Sequence, residues 1–238
     1  VSYSQTDYVG HMFGPKSREA MDAILVLDRD LGRLFTHLDA KVGEGNWTAV
    51  LSADHGAAPG DSRRVDQQIF MKTAQDAYAT AGFAGELRFI EPTIYLPEDV
   101  VADPIKRTAA AKAIVDGMAD YDGVAGVWAW REPGGFPADT PHRQSYLESV
   151  DNVRSGDLFV MVEEGVLFTW RGDATGTSHG TPYDYDAMVP VMAFGKNIQP
   201  GRSTELVDVR QIAATVGVLL GVGAPAQGLQ ETISAALK

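Results

Sequence analysis

The histidines and aspartates that could do chemistry in this sequence gather in three short segments. Thr6-Asp7-Tyr8-Val9-Gly10-His11 places Asp7 and His11 four apart, so a helical turn would point both side chains the same way. Val50-Leu-Ser-Ala-Asp54-His55-Gly56 sets an Asp-His pair directly after an apolar run, at the strand end where α/β sheets collect ligands, with a glycine that lets the backbone turn sharply. Gly176-Thr-Ser-His179-Gly180-Thr-Pro-Tyr183 holds a histidine between glycines in a loop. Each segment also has a plain structural reading: an incidental spacing, a capping aspartate at a helix start, a surface loop. Counted together, Asp7, His11, Asp54, His55 and His179 are nitrogen and oxygen donors suited to Zn²⁺ or a similar divalent ion. The sequence has no cysteine, which removes disulfides, thiolate ligands and cysteine nucleophiles, so a metal here must sit on histidines and carboxylates. One open tetrahedral site takes about three protein ligands and two sites about six, so five residues fall short of a pair by at least one.

The elements that must position these residues follow from period and punctuation. From Ser17 to Lys41, Met21, Ile24, Leu25, Leu27, Leu31, Leu34, Phe35 and Leu38 recur mostly at three- and four-residue spacings, which predicts an amphipathic helix. Gly43-Glu-Gly-Asn46 ends it, and Trp47 to Ser52 reads as a short buried strand. Near the C-terminus, Val189 to Phe194 reads as a strand and Asp208 to Leu220 as a helix with Asp208 as its N-cap. Between these ends, Leu87 to Leu96 alternates like strands, Pro104 to Met118 is alanine-rich and helical, Gly126 to Trp130 is a strand, and Leu158 to Trp170 reads as a hairpin. The expected fold is therefore α/β: a mostly parallel sheet flanked by helices, formed by residues 1–75 and 172–238, with an inserted α+β subdomain over 76–171.

Composition narrows the classes. The 238 residues, 45% hydrophobic and 22% charged, are enough for a large α/β domain or a domain with a subdomain. Thirty-two acidic against twenty basic residues leave a formal charge of −12 and no basic cluster to follow a phosphate backbone, which argues against a nucleic acid duplex as partner. No stretch approaches the roughly 18 apolar residues of a membrane span.

Thr-Asp-Tyr-Val-Gly-His-Met-Phe-Gly-Pro, then Ser-Ala-Asp-His-Gly, then Gly-Thr-Ser-His-Gly-Thr-Pro-Tyr-Asp-Tyr-Asp, in that order, resemble the motifs of the alkaline phosphatase superfamily. The nearest branch looks like the nucleotide pyrophosphatase/phosphodiesterases and the phosphate-irrepressible, threonine-nucleophile alkaline phosphatases. The resemblance covers most of the chain, with the middle similar to the small subdomain such enzymes insert before the last histidine ligand. It implies an alkaline-phosphatase-like core, a phosphate-ester substrate and two zinc ions, with Asp7, His11 and His179 holding one and Asp54 and His55 the other. In that family a further aspartate ligand and the threonine or serine nucleophile lie upstream of the first motif. The resemblance thus implies a C-terminal portion of an enzyme that needs its N-terminal half, is inactive alone, and has no nucleophile of its own among Thr6, Ser52 and Ser178. Paired metals of this kind lower the pKa of the nucleophile's hydroxyl and stabilise the leaving oxygen. Enzymes of this branch are usually exported to the periplasm or cell exterior.

Several residues stand further out. Tyr183, Asp184 and Asp186 follow the last histidine closely and are candidates for orienting it. His37 reads as a packed or solvent-facing helix residue, His142 as a loop residue bordering the site, and Trp128 and Trp130 as hairpin and core packing. A cofactor-independent phosphoglycerate mutase shares a D-x-V-G-H and an A-D-H-G motif, but the block around His179, followed by Val-Pro-Val-Met, favours the phosphatase and phosphodiesterase branch. A sulfatase fits less well because the pattern provides for two metals, and a catalytically inactive metal-binding module is the non-enzyme alternative.

Overall fold

A computed structural model describes residues 1–170, 175–226 and 228–237. In chain order the elements are α1 (Gln5–Phe13), α2 (Arg18–Val42), β1 (Thr48–Leu51), β2 (Arg63–Asp66), α3 (Gln67–Thr80), β3 (Arg88–Ile90), β4 (Thr93–Tyr95) and α4 (Glu98–Val101). They continue with α5 (Pro104–Met118), β5 (Val124–Trp128), α6 (Arg143–Ser149), β6 (Leu158–Val162), β7 (Val166–Thr169), α7 (Asp184–Ala187), β8 (Met192–Gly195) and α8 (Gln211–Leu220). The chain divides into two compact units, one of Val1–Tyr3, Met21–Gly56 and Met188–Lys238, the other of Ser4–Ala20 and Ala57–Ala187.

The first unit is thinly cored. β1 pairs antiparallel with β8, and Phe35 of α2 stacks on Trp47, ring centroids 4.8 Å apart, and leans on Phe194. Trp47 donates its indole N–H to Asp39 at 2.7 Å. The helix expected over Ser17 to Lys41 forms, but only Leu27, Leu31, Leu34, Phe35 and Leu38 of its stripe are half-buried, while Met21, Ile24 and Leu25 are exposed. The Trp47 to Ser52 run, read as a buried strand, is likewise only half-buried, because β8 is its sole strand partner among the described residues. α8 starts at Gln211 rather than Asp208: the Asp208 carboxylate is taken by the backbone N–H and guanidinium of Arg210, which holds the preceding turn outside the helix.

The second unit holds a four-stranded antiparallel sheet in the order β3-β4-β6-β5, and β6 shows how it is packed. All five β6 residues are buried, and their period of two sends them to opposite faces. Leu158, Val160 and Val162 join Phe70, Tyr78, Ile94, Ile114 and Met118 in the main core. Phe159 and Met161 join Phe136 and Tyr146 in a smaller aromatic cluster that Trp128 and Trp130 also pack against, as the sequence leads one to expect of these tryptophans. α3 and α5 cover the main-core face, each with an aspartate N-cap: Asp66 accepts from the N–H groups of Gln68 and Ile69, and Asp103 from those of Ile105 and Lys106.

The α/β class is as expected, and the strand pairing adds two findings. Leu158 to Trp170 contains two strands but they do not form a hairpin: both edges of β6 are taken by β4 and β5, so β7 pairs instead with β2. That β2–β7 pair is parallel and the remaining pairs are antiparallel among the described residues: the antiparallel β3-β4-β6-β5 sheet lies within residues 76–171, where short connections such as the one between β3 and β4 return the chain in the opposite direction, and β1 pairs antiparallel with β8.

Candidate metal centre

α1 forms around the first motif and brings Asp7 and His11 onto one face, as their spacing predicts. Asp7 Oδ1 stands 3.3 Å from His11 Nε2 and 3.6 Å from Nε2 of His179, which arrives from a loop 168 positions further along the chain. One ligand atom from each of these three residues lies within 4.8 Å of the others, and all three side chains are partly open to solvent. Ligands about 2.1 Å from a tetrahedral zinc are about 3.4 Å from one another. The two separations from Asp7 match that edge, and two imidazoles with a carboxylate are a donor set that zinc accepts, so these residues fit the ion.

The His179 loop is fastened to α1 through its backbone. Thr177 N–H donates to the Gly10 carbonyl at 3.1 Å, and the Thr177 carbonyl accepts from His11 Nδ1 at 2.9 Å. A carbonyl can only accept, so Nδ1 carries a proton, and in the neutral ring Nε2 presents its lone pair on the Asp7 side. Thr177 Oγ1 donates to the Ala58 carbonyl, and Ala58 N–H returns a hydrogen bond to Ser178. Gly176 sits at φ +92°, and a Cβ there would lie 1.9 Å from the His11 carbonyl oxygen, so only glycine permits this approach. Arg64, on β2, donates to the Gly176 carbonyl at 2.8 Å. Neither Thr177 nor Arg64 stands out in the sequence. Thr177 lies inside the third motif, but the only sign of Arg64 is strand alternation, which sends Arg63 to Asp122 and its neighbour to the other face.

The remaining sequence candidates divide by what they touch. Asp186 is buried and its Oδ2 accepts from both the N–H and the hydroxyl of Thr181, bracing the chain two residues beyond His179. Tyr183 donates its hydroxyl to the Val162 carbonyl at 2.8 Å, and burial, with Tyr185, Glu164 and Glu163 nearby, pushes its phenol above the ordinary value, which keeps it a donor. Asp184 is an exposed residue at the start of α7. His142 meets Tyr183 edge-on with its backbone in the left-handed region, and His37 is solvent-facing. In the first unit, Asp54 and His55 follow β1: His55 Nδ1 donates to its neighbour Gly56 at 2.8 Å, and Nε2 is 3.8 Å from Asp54 Oδ1. His55 thus has the same arrangement as His11, one ring nitrogen on a backbone carbonyl and the other turned to a carboxylate.

Comparison with known proteins decides the family. The family model described as type I phosphodiesterase / nucleotide pyrophosphatase matches residues 1–182. The chain belongs to that family. Among its relatives, the alkaline phosphatase PhoV of Synechococcus elongatus is 30% identical over 248 residues, covering 100% of this chain and 44% of PhoV. A Myroides odoratus protein named calcium-transporting ATPase is 29% identical over 250 residues, covering 100% of this chain and 45% of its own length. The crystal structure of the alkaline phosphatase PafA superposes with a TM-score of 0.84 at 27% identity, covering 98% of this chain and 46% of PafA. The chain therefore spans less than half the length of these relatives. Among the described residues no helix is long and apolar enough to cross a membrane.

Proposed function

We propose that this phosphodiesterase-family chain is part of a two-metal, zinc-dependent hydrolase of phosphate esters, a phosphomonoesterase or phosphodiesterase. The observation that carries this reading is the convergence of Asp7, His11 and His179 on one point from two distant segments, in a chain with the family's motifs. In this reading Asp7, His11 and His179 hold one zinc, and Asp54 and His55 are ligands of the second. Bound zinc would supply the positive charge that stabilises the phosphoryl oxygens and the attacking and leaving oxygens. The chain's own residues orient: the Thr177 carbonyl holds the His11 proton on Nδ1, Gly56 does the same for His55, and Asp186 braces the loop after His179. The reaction proceeds through a covalent phospho-enzyme whose nucleophile, with a further metal ligand, is supplied by an upstream half of the same enzyme; relatives more than twice as long support that arrangement. The substrate is a small phosphate ester, and the compartment is the periplasm or cell exterior, as for enzymes of the branch this sequence resembles. ATP hydrolysis, named in the Myroides relative, is phosphoryl transfer of the same chemical kind.

The test is metal content by elemental mass spectrometry together with hydrolysis of nitrophenyl phosphate monoester and diester. The complete enzyme is expected to carry about two zinc ions and turn over one of the esters, and this chain about one ion, without turnover. His179→Ala in the complete enzyme is expected to lower the rate by orders of magnitude. Metal-free protein in both forms would overturn the hydrolase reading in favour of an inactive module.

A further inference from the structure

We infer that Arg64 is a positioning residue for the metal centre, acting through the Gly176 carbonyl to hold the His179 loop against α1. This rests on the metal-site reading above and concerns a residue outside the ligand set.

Gly176 and Thr177 are both buried, so their backbone polar groups need partners within the protein. Thr177 finds its partners on Gly10, His11 and Ala58, and these bonds set where the His11 ring sits and which tautomer its neutral form takes. The Gly176 carbonyl, one residue earlier, has the Arg64 guanidinium as its donor, at 2.8 Å. Gly176 also packs directly against α1, where a single added carbon would meet the His11 carbonyl. A shift of the Gly176 peptide is thus passed on to the histidine on each side: to His11 across the Thr177 hydrogen bonds, and to His179 along three residues of chain. Among the described residues Arg64 forms no ion pair with a carboxylate, so its partly buried charge has this carbonyl as its acceptor, a charge-assisted hydrogen bond stronger than a neutral one. Lysine is a poor replacement, because its ammonium is a point charge on a shorter reach without the guanidinium's fixed fork.

Arg64→Met and Arg64→Lys in the 238-residue chain test this by two readouts: zinc affinity from competition with a chromophoric chelator, and the His11 tautomer from long-range ¹⁵N–¹H imidazole spectra of the metal-free protein. Arg64→Met is expected to weaken zinc binding about 10- to 100-fold, the size of effect that outer-shell partners of metal ligands have, and to mix the two His11 tautomers; Arg64→Lys should fall between. A purely structural role would lower the melting temperature and leave affinity and tautomer alone, and zinc affinity within twofold of wild type would overturn the assignment. If Arg64→Met does not fold, the same criteria apply to Arg64→Lys. Wild-type chain that binds no zinc would instead overturn the metal-site reading, with the tautomer comparison still deciding whether Arg64 orients His11.

Discussion

At His11 the direction of one hydrogen bond determines which ring nitrogen is available to a metal. Nδ1 donates to the Thr177 carbonyl, so in the neutral ring the nitrogen facing Asp7 is the one with the lone pair, and the ring is oriented to offer it to a cation. The same reasoning makes Gly176 a sensitive position. Its φ of +92° is strained for any side chain, and the added methyl would collide with the His11 carbonyl, separating the two segments that carry the ligands. Gly176→Ala is expected to cost about 1–3 kcal/mol in chemical denaturation from backbone strain alone and to weaken zinc binding as well. Asp7 and His11 were legible from spacing, because a helical turn fixes their relation within one element. The partnership with His179 was legible only through family resemblance, since nothing local in residues 176–183 says what they face.

At the level of elements, the second unit is held by local rules that the sequence states openly. Aspartate caps at Asp66 and Asp103, with Pro104 in the first turn, start α3 and α5, the second of them where the alanine-rich composition places a helix. The start of α5 is further tied to the loop after β5. Burial by itself would raise the Glu132 carboxyl, but hydrogen bonds from Thr108 and Arg107, with the Arg107 charge, hold it below its ordinary value. A depressed carboxylate stabilises the fold above its unfolded pKa and loses that contribution as pH falls through its folded one. Glu132→Gln should therefore be about 1–3 kcal/mol less stable than wild type in urea at pH 7, a gap that narrows as the pH drops below about 4. Denaturation curves at both pH values check this, and a gap that persists in acid would remove the charge from the explanation. Hairpin geometry was the weaker inference: Leu158 to Trp170 has the alternation of two strands, but pairing depends on which edges other strands already occupy.

For the whole molecule, the binding of a metal is also a statement about stability. An ion that binds the folded chain and not the unfolded one adds about 2.7 kcal/mol at a free concentration one hundred times its dissociation constant. Excess zinc should accordingly raise the melting temperature of this chain, a chelator should reverse the rise, and His11→Ala should abolish it, from a lower metal-free melting temperature because the Thr177 carbonyl loses its donor. Calorimetric scans of each protein with and without zinc measure the rise within that protein. An equal zinc-induced rise in His11→Ala would place the ion elsewhere on a surface whose net charge of −12 attracts cations generally.

The sequence by itself determined the α2, α5 and α8 helices, the β1, β5 and β8 strands, the residue types suited to a divalent ion, and the α/β class, because period, capping residues and turn residues act over a few positions. It also carried the family, through three motifs whose order survives without any structure. Tertiary structure alone decided that β7 leaves β6 for β2, that Met21, Ile24 and Leu25 remain exposed on α2, and that Arg64 and Thr177 fasten the His179 loop to α1. Those outcomes depend on which edge is free, which face is covered and which carbonyl lacks a donor, and these are properties of neighbours distant in sequence.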